Sequence, residues 1–211
     1  AGVCICLLLS VDASAGRSGL GQGMRTVTDE PIVKAGWITV WDLPVRLFHW
    51  ALTLCVSVDL IVESGTRLHV LAGYGVLALI CFRLIWGLIG SRYARFTEFL
   101  YGPRTVLEYL LRLKARRPLR YLGHNPLGGW MILAMMLALG VAAGTGALIE
   151  TARFAHSHRL KELHETAASL LYFLVPLHVL GVVVSSIAHR ENLVEAMITG
   201  RKRARSENRG D

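Results

Sequence analysis

The apolar positions of this chain gather into four long runs, at about Val45 to Val62, Leu68 to Gly90, Leu127 to Ile149 and Leu163 to Ala188. Each holds few or no charges and comes near the roughly 20 residues that a helix needs to cross a bilayer. Between the second and third runs the pattern changes. Pro103 suits the first position of a helix, Val106, Leu107, Leu110, Leu111 and Leu113 recur at helical spacing, and Pro118 stops the run. With Arg104, Arg112, Lys114 and Arg116 beside them, these residues predict a helix lying on an anionic leaflet; a soluble amphipathic helix packed on a partner is the alternative. The predicted fold is an all-α membrane protein, a four-helix transmembrane bundle with an amphipathic interfacial helix in the cytoplasmic loop. There is no internal repeat and no low-complexity segment.

Composition agrees with that pattern. Of 211 residues, 53% are hydrophobic and 18% charged, which excludes a disordered chain and falls below the quarter or so of charged residues in an ordinary soluble domain. The formal charge of +8 would suit nucleic-acid binding in a soluble protein. Here the basic residues read as topology signals instead. Residues 91–125 hold eight of them (Arg92, Arg95, Arg104, Arg112, Lys114, Arg116, Arg117 and Arg120) against Glu98 and Glu108, and the tail after His189 holds six more. The first connection has Arg67 alone, and the third has Arg153, Arg159 and Lys161. The positive-inside rule therefore places both termini and the long middle loop in the cytoplasm.

The first methionine is Met24, and Val3 to Leu9 form an apolar run of signal-peptide length without a basic segment before it. An extended reading frame upstream of Met24 is the expectation, ahead of a signal peptide with Ala13-Ser14-Ala15 as its cleavage site, and residues 1–23 are set apart from the fold. The expected organisation is an N-terminal extension over 1–36, partly non-native, a four-helix domain over 37–190 and a basic cytoplasmic tail over 191–211. Cys55 and Cys81 fall inside apolar runs, and no C-x-x-C-H is present for covalent haem attachment.

Ionisable side chains inside a span are expensive and point to function. Four histidines qualify: His49, His69, His164 and His178. His164 and His178 are 14 residues apart, which is roughly 21 Å along a helix axis and two heptads, so that both face one seam of a left-handed bundle. The topology sorts the four into an outer pair, His69 with His164, and an inner pair, His49 with His178. Two imidazoles facing each other at each of two depths is what axial ligation of two haems requires. Small residues near these positions would let a flat ring approach: Gly73 and Gly75, Ala167 and Ala168, and Gly181. They would equally allow close helix packing, as Gly140 and Gly144 in the third span do on that reading.

Arg83 lies 14 residues after His69, on nearly the same helix face at the inner end, where it would pair with propionates of the inner haem or snorkel to lipid phosphates. Asp59 is the other charge within a span, with a protonated or water-linked carboxyl near the outer haem as the only suggestion. Pro176 should kink the fourth span and free the Tyr172 carbonyl.

Several segments together resemble the bacterial cytochrome b561 family, which includes the membrane cytochrome b subunits of nickel-iron hydrogenases. They are Trp41-Asp42-Leu43-Pro44-Val45-Arg46-Leu47-Phe48-His49-Trp50, His69 with Ala72-Gly73-Tyr74, Arg83 with Trp86-Gly87, Gly123-His124-Asn125-Pro126-Leu127-Gly128-Gly129, and His164-Glu165 with His178. The resemblance spans about residues 37 to 205. It implies a four-helix cytochrome of the bacterial inner membrane with two b-type haems, passing electrons to or from quinone. By position the iron ligands would be His49, His69, His164 and His178, with Arg46, Gly73, Arg83, Ala168 and Gly181 contacting the cofactor. Asp59 stands outside the pattern.

His124 at the mouth of the third span suggests a cap, a lipid contact or a propionate contact. His156 and His158 form a His-x-His pair in a loop, and a solvated loop is the simpler reading. His164-Glu165 does not complete H-E-x-x-H, because Ala168 replaces the second histidine. The leading expectation is thus an electron carrier with quinone and membrane lipid as partners, together with a redox protein such as a c-type cytochrome or a hydrogenase; a homodimer stays open. The rivals are a histidine-lined metal or proton transporter and a structural membrane anchor. Internal repeats and a midplane site, expected of transporters, are missing. Nothing in the chain resembles a further catalytic motif.

Overall fold

The computed structural model describes residues 36–115 and 121–203. The expected N-terminal extension up to residue 35, the residues Arg116, Arg117, Pro118 and Arg120, and the tail beyond Arg203 lie outside the described residues.

Four long helices account for the apolar runs: α1 (Leu43–Ile61), α2 (Arg67–Ile89), α4 (Pro126–Ile149) and α5 (His158–His189), with α3 (Pro103–Lys114) between α2 and α4. Three of them start on side-chain caps. Asp42 Oδ1 accepts from the Val45 amide at 2.8 Å, Thr66 Oγ1 from the His69 amide at 3.3 Å and Asn125 Oδ1 from the Gly128 amide at 2.7 Å, each satisfying an amide that the first turn leaves unpaired. Pro44 and Pro126 sit in first turns, where the missing N–H costs nothing. The apolar run predicted a start at Leu163 for the last span, but α5 begins at His158. Its first turn is polar, and hydropathy cannot register helix outside an apolar stretch.

All four long helices are long and apolar enough to cross a membrane. The packing runs α1 on α2, α2 on α4 and α4 on α5, and Tyr172 of α5 reaches α1 by donating its hydroxyl to the Leu60 carbonyl at 3.0 Å. Between them Val76, Ile80, Leu139 and Leu171 are buried, and Ala138, Ala142 and Ala143 give α4 the small face that close helix approach needs. The outward faces carry apolar side chains that water would not tolerate in such number, Ile61 at 84% and Leu88 at 73% exposure among them.

With four long helices in succession, Trp37–Thr39 before α1 and Arg201–Arg203 after α5 lie at one end of the bundle, the terminal end; the opposite one is the far end. The terminal end carries a small roof. After α5 the chain turns through Arg190 in a left-handed conformation (φ 51°) and enters α6 (Leu193–Thr199), capped by Asn192. Gly200 (φ 78°) then leads into β2 (Arg201–Arg203), antiparallel to β1 (Trp37–Thr39) with Ile38 opposite Lys202. The Val40 and Trp41 amides both donate to the Gly200 carbonyl, at 2.9 and 3.1 Å. The described part of the basic tail is therefore tied to the segment that opens α1. Below it, 3-10 turns at Arg92–Ala94 and Phe96–Glu98 connect α2 to α3, whose Tyr109 is buried while Leu107, Leu110 and Leu111 stay exposed.

Candidate functional site

At the far end the Thr66 cap sets His69 in the first turn of α2, and the long α5 carries His164 opposite it. The two rings stand 6.2 Å apart between centroids, nearly perpendicular at 81°. His164 Nδ1 donates to the Ala142 carbonyl at 2.8 Å, which leaves Nε2 as the ring nitrogen with a free lone pair. Gly146 makes that approach feasible, since a Cβ there would come within 3.2 Å of the His164 ring. His69 Nδ1 lies 3.4 Å from Asp59 Oδ1; both atoms are buried, and neither has a hydrogen-bond partner. Beside the two imidazoles opens a cavity of about 850 Å³, within the range of small-molecule and cofactor sites. Gly73, Gly146, Ala168 and Tyr172 line it, and a Cβ placed on Gly73 would meet nothing within 4 Å. Its charged lining is Asp59, Glu63, Glu150, Glu165 and Lys161.

At the terminal end Asp42 does two jobs. One carboxylate oxygen caps α1 and the other accepts from Trp86 Nε1 at 3.0 Å, pinning the start of α1 to the end of α2. Two turns into α1, His49 has a buried Nδ1 without a partner, and its ring meets Trp50 edge-on at 5.2 Å. His178 of α5 is half-buried and close enough to His49 for the two to interact electrostatically. Gly181, one turn on, again has open space where a Cβ would stand.

Arg83 is 3% exposed. It points into the protein, donating from Nη2 to the Ala94 carbonyl at 2.9 Å with its guanidinium over the Phe96 ring at 4.9 Å, and so it does not snorkel to lipid. Its Nη1 is buried without a partner. Arg46 donates to the Ile198 carbonyl of α6, and its Nε is also buried and unpartnered. His124 packs between Trp41 (4.5 Å) and Phe99 (4.9 Å), tilted to both, with an Nδ1 that has no hydrogen-bond partner among the described residues. Burial, then the charges of Arg83 and Lys202 and the nearby His178 and His49, pull its pKa down to about 3, so the ring is neutral. Asn125, not His124, caps α4, and its amide also donates to Ser185 Oγ at 3.2 Å.

The structure thus brings His69 and His164 together edge to face, adds Gly73 and Ala168 to their cavity, and gathers His49, His178, Arg46 and Arg83 at the opposite end. Ala167 instead lies in the helix core, a Cβ placed on Gly75 would come within 3.1 Å of Cys55 Sγ, and one on Gly140 would touch Ile80. His158 forms an exposed pair with Glu162 at 3.4 Å, and among the described residues no cluster of three metal-ligating side chains occurs. Asp59, Gly146 and the Ala142 carbonyl are parts of the far-end site that sequence reasoning did not assign. A lone carboxylate and a glycine within apolar runs were the only signals available.

A bundle of four apolar helices, three of which bear imidazoles toward its two ends with open space and buried cationic N–H groups beside them, fits the needs of haem: nitrogen ligands for iron, room for a flat ring and partners for its carboxylates. The class so defined is a multi-pass membrane cytochrome. Comparison with known proteins agrees, since residues 40–200 match the family described as prokaryotic cytochrome b561. The chain belongs to that family; it is a b-type cytochrome, a haem b protein of electron transport. It is also similar to proteins named as probable Ni/Fe-hydrogenase B-type cytochrome subunits. The one from Rhodobacter capsulatus is 23% identical over 82% of this chain and 84% of its own length. That from Bradyrhizobium diazoefficiens is 23% identical over 92% and 99%, and that from Rhizobium leguminosarum bv. viciae 23% identical over 82% and 92%. No solved structure matches the chain.

Proposed function

We propose that the chain holds two haem b groups and carries electrons between a quinone pool and a redox partner protein in the bacterial inner membrane. The observation that carries this reading is the two-ended arrangement of histidines, with His69 and His164 beside a cavity at the far end and His49 and His178 beside unpartnered donors at the terminal end. Each group, when bound, supplies a one-electron couple. His69 with His164 and His49 with His178 would hold the two groups, and groups so held would supply electron transfer rather than binding of oxygen or carbon monoxide. Gly73, Ala168 and Gly181 would leave clearance for the ring, and Arg46 and Arg83 would offer their buried N–H groups to its propionates. All four imidazoles come from one chain, so a homodimer is not required.

The relatives' names make a nickel-iron hydrogenase the favoured partner, with a c-type cytochrome as the alternative. The basic residues of the middle loop and tail assign the terminal end and both chain ends to the cytoplasm. There α3 lies on the leaflet, its Leu107, Leu110 and Leu111 exposed beside Arg104, Arg112 and Lys114. Haem extraction and a visible spectrum test the proposal. Two low-spin haems per chain, unreactive with carbon monoxide, are expected; a stoichiometry of one, or ready carbon monoxide binding, sinks it. A colourless purified protein would favour the transporter or the anchor.

A further inference from the structure

We infer that Asp59 positions His69 and sets the redox potential of the far-end haem. The inference rests on the two-haem reading above. Asp59 is one carboxylate in the apolar run of α1, near the end opposite to His49, where an unpartnered charge would be costly. Its Oδ1 and the Nδ1 of His69 lie 3.4 Å apart, both are buried, and each lacks any other hydrogen-bond partner among the described residues. The nitrogen that faces the carboxylate is the one that does not ligate. A small rotation of the His69 ring therefore brings Nδ1–H onto Oδ1 and leaves Nε2 free for a ligand in the cavity that both residues line.

This geometry fixes the ring's tautomer and makes it a stronger donor to the metal, because a carboxylate accepting from one imidazole nitrogen raises the basicity of the other. The two far-end ligands then differ in kind: His69 has a carboxylate behind it, whereas His164 has the neutral Ala142 carbonyl. Greater electron donation and a nearby negative charge both favour the oxidised metal. Asp59 is a positioning residue, acting through His69.

Equilibrium redox titration of the purified holoprotein tests this, with Asp59→Asn, Asp59→Glu and Glu63→Gln as variants. Glu63 lines the same cavity without touching a histidine and reports the effect of charge alone. Asp59→Asn should raise the far-end potential by about the equivalent of a tenfold change in the oxidised-to-reduced ratio, which is about 59 mV for a one-electron couple, and leave the terminal-end haem unmoved. Its oxidised far-end haem should also show altered electron paramagnetic resonance g-values, which report ligand-ring orientation. Asp59→Glu should restore much of both, and Glu63→Gln should shift the potential less. If Asp59→Asn empties the far-end site, recovery of haem in Asp59→Glu supports the inference and failure to recover overturns it. Parent-like potentials in Asp59→Asn, or a shift no larger than that of Glu63→Gln, overturn it as well. A parent preparation without a two-imidazole far-end haem would remove the two-haem reading itself, which is a different result from an unmoved potential in a two-haem parent.

Discussion

At the far end of the bundle two imidazoles face each other beside a cavity whose charged lining is Asp59, Glu63, Glu150, Glu165 and a single lysine, Lys161. At the terminal end the imidazoles have Arg46, Arg83 and a neutral His124 for company, under a roof made by α6 and the β1–β2 ribbon. On the proposed two-haem reading, the ligand type is the same at both ends and the field is opposite. Reduction adds a negative charge, which a guanidinium stabilises and a carboxylate opposes, so the surroundings alone split the two potentials and the terminal-end haem should be the more easily reduced.

Removing a ligand from either end is the largest perturbation. His178→Ala should take the terminal-end haem and leave the far-end one, and His164→Ala should do the reverse, read as a fall from two haems to one with loss of one redox transition. Disappearance of the wrong haem would show that the pairs are misassigned. Crowding the cavity comes next. Gly73→Leu should reduce occupancy of the far-end site in a protein that still folds, because the space beside Gly73 is empty of protein atoms; full haem content would mean the ring does not approach α2 there.

Arg83→Gln acts on the other side of the comparison. It should lower the terminal-end potential by about 1–2 kcal/mol, the scale of a charge-assisted hydrogen bond, with the far-end potential unchanged. Equal potentials in parent and variant would confine Arg83 to its bond with Ala94. The smallest effect concerns His124. Its pKa is about 6.5 unfolded and about 3 folded, so the unfolded chain binds the extra proton within that window. Stability is therefore full above about 6.5 and falls as pH drops toward 3, with a slope of at most about 1.4 kcal/mol per pH unit from this residue. Thermal unfolding of His124→Gln between pH 7.5 and 5 should lose less on acidification than the parent; parallel curves would mean that the ring is protonated in the fold.

The hydrophobic pattern by itself determined the four spans, because twenty apolar residues in a row have few stable arrangements other than a buried or lipid-facing helix. Histidine spacing along one helix was equally legible: a rise of about 1.5 Å per residue converts 14 positions into a depth without any knowledge of neighbours. Sorting the histidines to two ends was within reach because successive spans alternate in direction, so that a position early in one helix lies level with a position late in the next. What stood beyond the sequence was everything set by side-chain direction between elements. Arg83 had two readings until its Nη2 met the Ala94 carbonyl, and Asp59 had a suggested depth near the outer haem but no partner until α1 and α2 brought it 3.4 Å from His69. The tail offered six basic residues and no long apolar run, yet Gly200 can turn β2 back onto β1 because the Val40 and Trp41 amides need its carbonyl. Such contacts join residues as far apart as Trp37 and Arg203. Their partners are chosen by three-dimensional packing, and local pattern carries no trace of them.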